Sequence, residues 1–92
     1  MNFGISEEST KKLLNLFKQT KNLTEVKIYG SRALGTYQEG SDIDLTITNE
    51  NFSNDDLLQL TNNVDDLMIP YQVDLSIFNQ LFVFMLINMY SK

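Results

Sequence analysis

From Asp42 to Thr48 the chain alternates without a fault, with Ile43, Leu45 and Ile47 on one side and Asp42, Asp44, Thr46 and Thr48 on the other. A period of two marks a strand with one face buried, because successive side chains leave a strand on opposite sides. Gln72 to Ile77 repeats the pattern, with Val73, Leu75 and Ile77 one way and Gln72, Asp74 and Ser76 the other. Such strands need a sheet whose apolar face is covered, and 92 residues supply one core, so residues 1–92 read as a single domain.

Helices are predicted to do the covering. Ser6 is a suitable N-cap for a helix running to about Lys21, with Glu7 and Glu8 at its positive end and Lys18 and Lys21 at the far end. Leu13, Leu14, Leu16 and Phe17 give it an apolar stripe. Val26 to Tyr29 alternates as a short strand cut off by Gly30, and Ser31 to Leu34 can form a helical turn before a loop from Gly35 to Gly40. Ser53 or Asn54 can cap a helix from about Asp55 to Met68, which Pro70 would end. The tail from Asn79 to Lys92 is apolar almost all round and reads as a last helix. The order is α-β-α-β-α-β-α, an α/β (α+β) domain with a small mixed sheet and helices over its apolar face.

Two missing residue types narrow the chemistry. With no Cys there is no disulfide, thiol nucleophile or thiolate zinc site, and with no His there is no imidazole base or ligand. What remains is carboxylates, hydroxyls, amines and backbone amides, and carboxylates suit hard ions such as Mg²⁺ or Mn²⁺. The net charge of -5 argues against nucleic acid as a partner, since phosphate binders usually show a basic face. Lys11, Lys12, Lys18, Lys21 and Lys27 are read as solvated charges rather than a binding surface. The N-terminus lacks a basic-then-apolar leader and the apolar run from Leu81 to Ile87 is too short to span a bilayer, so a cytoplasmic site without membrane contact is expected.

Asp42 and Asp44 leave the same face of their strand with Cβ atoms roughly 6–7 Å apart. Carboxylates that close repel, and a divalent cation relieves the repulsion. Asp74 lies on the polar face of the second strand, so neighbouring strands would put all three acids on one side. Each feature has a bland reading as well: Asp-x-Asp is common on solvent-facing strands, and Gly30-Ser31 after a strand is most often only a turn. Such a turn also presents backbone N–H groups to an anion, with Arg32 near enough to add charge.

Taken together, Gly30 to Leu45 (GSRALGTYQEGSDIDL) resembles the nucleotidyltransferase signature of the DNA polymerase β superfamily, in which a Gly-Ser turn precedes Asp-x-Asp and a third Asp follows on a later strand. Here Ser31 precedes Asp42 by eleven positions, and VDLSIF from Val73 to Phe78 supplies the third acid. The chain is most similar to the minimal nucleotidyltransferases typified by MntA-type antitoxins, over about residues 5–78. The resemblance implies that Asp42, Asp44 and Asp74 are catalytic and hold two Mg²⁺ ions, with Mn²⁺ as a substitute. It also implies that Gly30, Ser31, Arg32 and Ser41 bind the nucleotide. ATP would be the donor, and AMP would pass to a hydroxyl, a tyrosine of a partner HEPN-family toxin.

The sequence departs from the family at two places. Leu34 stands where many members carry a second Arg. Residues 79–92 carry no charge before Lys92 and turn apolar, which also suggests a protein contact such as a homo-oligomer. The alternatives are a small-molecule transferase of the aminoglycoside-modifying kind, polymerase-like action on nucleic acid, and a non-catalytic module that binds a partner.

Overall fold

The computed structural model describes residues 2–79 and 85–92. Helix α1 (Glu7–Gln19) is followed by β1 (Glu25–Tyr29), the short α2 (Ser31–Leu34), β2 (Ile43–Ile47), α3 (Asn54–Asp66), β3 (Val73–Ile77) and β4 (Ile87–Ser91). The strands form one sheet in the order β3-β2-β1-β4. β1 runs antiparallel to both β2 and β4, whereas β2 and β3 are parallel. The predicted α+β class with a mixed sheet therefore holds.

The alternation read in the sequence decides which face is buried. Val26, Ile28, Ile43, Leu45 and Ile47 are sealed from solvent against Leu13 and Phe17 of α1 and Leu60 and Val64 of α3. Burying side chains of this size stabilises by about 1.5–3 kcal/mol each, the main favourable contribution in so small a domain. Odd positions of β1 and even positions of β2 and β3 go to the other face. Their register places Lys27, Thr46 and Ser76 in one row and Tyr29, Asp44 and Asp74 in the next. On β2 and β3 this face carries polar side chains, of which Thr46 is buried.

The last element is corrected. Ile87–Ser91 is a strand rather than a helix, paired with β1 through a register shift between Val26 and Lys27. Its Tyr90 ring packs on Phe17, with centroids 5.8 Å apart. Without β4, β1 would present an unpaired edge, and satisfying that row of N–H and C=O groups outweighs the helical reading of an apolar tail. The expected contact through the apolar run falls largely on residues 80–84, outside the described residues. Among the described residues no helix is long and apolar enough to cross a membrane.

Local chemistry accounts for the helix ends. Ser6 caps α1 by accepting from the Ser9 N–H at 3.2 Å. Lys11 and Lys12 pair with Glu7 and Glu8 one turn earlier, all well exposed, as solvated helix charges do. Ser53 and Asp56 form a reciprocal capping box on α3, with both bonds at 3.1 Å. The helix stops at Asp66 with Met68 in the left-handed region, so it ends earlier than a break at Pro70 required. Ser53→Ala is expected to lower stability by about 1 kcal/mol in urea unfolding. The Ser53 bonds hold the Asp56 carboxyl below its ordinary pKa. The contribution of the Asp56 carboxylate is therefore present at neutral pH and fades as pH falls through the carboxylate range, and the wild-type and Asp56→Ala curves should converge at low pH.

Candidate active site

The open face and one turn make the site. β1 ends at Tyr29, and Gly30 follows with φ 74° and ψ -154°, a combination open essentially to glycine alone. A Cβ at Gly30 would run into Asp44 Oδ2, so the turn lies directly against the carboxylate. Gly30 is the N-cap of α2, and Gly35 closes that helix in the left-handed region. The backbone thereby turns sharply twice within six residues, and Ser31 is the first residue of the helix. Leu34, in the place of the second Arg, is 58% exposed.

Asp44 and Asp74 are direct neighbours across the parallel β2–β3 pair, hence on the same face. Asp42 lies one residue before β2 and is exposed, as is Asp74, whereas Asp44 is half-buried. Burial raises the Asp44 carboxyl above its ordinary pKa, and the charges of Asp74 and then Asp42 raise it further, with Arg32 acting in the opposite direction. Asp44 is thus the middle acid, electrostatically coupled to both of the others.

The donor set is all carboxylate oxygen, and like charges in register are what a cation would relieve, so these residues suit a hard divalent ion. Among the described residues no three acidic side chains are gathered closely enough to enclose one ion. The arrangement fits acids shared in pairs around Asp44 better than a single cage of three.

Two of the residues expected to bind nucleotide, Arg32 and Ser41, are engaged within the protein. Arg32 is only 3% exposed, and its guanidinium donates to the Ser41 carbonyl at 3.2 and 2.8 Å and to the Phe3 carbonyl at 3.0 Å. The rings of Tyr37 and Tyr71 lie against it, with centroids 5.1 and 5.2 Å from Cζ. The cation is thus enclosed by the loop and its neighbours. Ser41 uses its carbonyl for Arg32 and its hydroxyl to accept from the Gln38 N–H at 2.8 Å, so it fastens the same loop.

Sequence reasoning missed Tyr29. It is the register partner of Asp44, and its phenol shares a hydrogen bond with Ser76. Burial raises its pKa most, and the charges of Asp44 and Asp74 add to the effect while the Ser76 bond opposes it. The alternation of Val26 to Tyr29 already put Tyr29 on the polar face. Its neighbours depended on strand pairing.

The family model for polymerase beta nucleotidyltransferases matches residues 11–91. The chain belongs to this family. The nucleotidyltransferase fold recurs in a solved toxin–antitoxin structure with AMP-PNP, 22% identical, with a TM-score of 0.57 over 73% of this chain. This chain spans 55% of the length of that one. A protein assigned as a nucleotidyltransferase from Sulfolobus solfataricus is 29% identical, with a TM-score of 0.44 and coverage of 76% of this chain and 70% of that one. No curated sequence matches significantly.

Proposed function

We propose that this nucleotidyltransferase domain moves AMP from ATP to a tyrosine hydroxyl of a HEPN-family toxin, and so acts as an antitoxin. The observation that carries the reading is the in-register pair Asp44–Asp74 beside Gly30, on a chain that belongs to the family. The fold likeness to a toxin–antitoxin protein bound to AMP-PNP supports the choice of nucleotide and partner.

Asp42 and Asp44 would hold two Mg²⁺ ions, with Asp74 completing the second position. When bound, the ions balance the charge of the triphosphate and of the departing pyrophosphate. Backbone N–H groups at Gly30-Ser31 face the β- and γ-phosphates. Asp74 takes the proton from the acceptor hydroxyl, whose oxygen forms a bond to the α-phosphorus. The bond from that phosphorus to the β-bridging oxygen breaks, and pyrophosphate leaves.

The test is incubation of the full chain with α-labelled ATP, Mg²⁺ and the toxin encoded beside it. Label on the toxin, lost when its acceptor tyrosine becomes Phe, is the expected result. A toxin that stays unlabelled while ATP and Mg²⁺ leave the melting temperature of the chain unchanged would remove the enzymatic reading and favour a binding module.

A further inference from the structure

Arg32 sits where four segments meet. Its guanidinium binds the carbonyls of Phe3, before α1, and of Ser41, the residue immediately before Asp42. One ring over it belongs to Tyr37 in the α2–β2 loop, the other to Tyr71, three residues before Asp74. The Tyr71 hydroxyl in turn accepts from the Ser6 N–H at 3.0 Å, which ties the clasp to the N-cap of α1. The same side chain therefore grips the approach to β2 and stacks on the approach to β3, the two strands whose first turns carry the acids.

At the ends of these approaches, the Thr36 N–H donates to the Ser31 carbonyl at 3.0 Å and the Ile43 N–H to the Gln72 carbonyl at 2.8 Å. Between α2 and β2 the loop has no regular structure over residues 36–42. Between those ends, the Ser41 N–H donates to the Gln38 carbonyl and the Gln38 N–H to Ser41 Oγ. These shape the turn without attaching it to the rest of the protein. Arg32 attaches the stretch between those ends, with two donors on the Ser41 carbonyl and a flat cation against the Tyr37 and Tyr71 rings.

We propose that Arg32 is a positioning residue: by gripping the Ser41 carbonyl between the Tyr37 and Tyr71 rings, it sets Asp42 relative to Asp74 and makes no contact with the nucleotide. The proposal rests on the transferase reading above for its kinetic consequence, and on the clasp alone for its structural one. Lysine separates it from a phosphate-binding role. Lysine keeps the charge and binds phosphate well, but it cannot give the planar pair of donors that Ser41 receives.

In Arg32→Lys, kcat is expected to fall about thirtyfold, because small displacements of a reacting group are costly. The KM for ATP should stay within about twofold, since ground-state binding is untouched. Amide hydrogen exchange over residues 36–43 should quicken by about tenfold or more, with α1 and α3 unchanged. Tyr37→Leu, at a partly exposed position, should quicken the same amides less strongly and serves if Arg32→Lys does not fold. A rise in KM for ATP with kcat and exchange at wild-type values would overturn the proposal and return Arg32 to the nucleotide. If the wild-type chain transfers nothing, the transferase reading is what fails. Exchange then decides alone: faster exchange sustains the clasp, and unchanged exchange in both variants ends it.

Discussion

Asp44→Asn is expected to lower AMP transfer by about a thousandfold or more, the scale seen when a group that acts only in the transition state is removed. The metal-free variant should nevertheless melt at a higher temperature than the wild type at neutral pH. The sign follows from the direction of the pKa shift. Burial and the charges of Asp74 and Asp42 raise the folded-state pKa of Asp44, so the folded protein binds a proton that the unfolded chain has released. Stability is therefore greatest below the unfolded value and declines as pH rises through the folded one. Asn cannot ionise, so the variant lacks that decline. Measuring melting temperature in chelator from about pH 4 to pH 8 should show the two proteins closest at the acid end and diverging upward. Retained transfer would refute a catalytic Asp44, and a drop in melting temperature at neutral pH would show that its charge stabilises the fold.

Gly30→Ala should be nearly as damaging to activity and should also destabilise. Its backbone lies in a region that costs residues with a Cβ on the order of 1–3 kcal/mol, and the new methyl meets Asp44 Oδ2. Either the turn opens or the carboxylate swings aside, and both disturb the site. Double replacement distinguishes the two terms. Gly30→Ala with Asp44→Gly removes the collision and leaves the strain, so the part of the stability loss recovered in the double variant measures the clash. A single variant with unaltered stability and transfer would mean that Gly30 neither touches Asp44 nor shapes the turn.

Both predictions depend on an arrangement that was partly legible beforehand. The alternation of Ile43, Leu45 and Ile47 against Asp42, Asp44 and Thr46 was enough to place the acids opposite the core, and the core residues are indeed sealed. Ser6 and Ser53 announced their helices because a capping hydroxyl acts within three residues of itself. The C-terminal strand was not legible. Ile87–Ser91 has little alternation of its own and becomes a strand because β1 offers a free edge, a property of another part of the chain. The surroundings of Arg32 were not legible for a similar reason. Beside Gly-Ser it looked like a phosphate ligand, yet its partners are Phe3, Ser41, Tyr37 and Tyr71, three of them nine or more residues away by the distances along the chain.

What the sequence determined by itself is whatever acts over one strand or one helical turn: which residues face the core, where helices begin, and that carboxylates stand in for the Cys and His the chain lacks. Only the tertiary structure decided which strands adjoin, and with that the meeting of Asp44 with Asp74 and Tyr29 and the enclosure of Arg32. Pairing across a sheet brings together residues whose order along the chain carries no record of the contact.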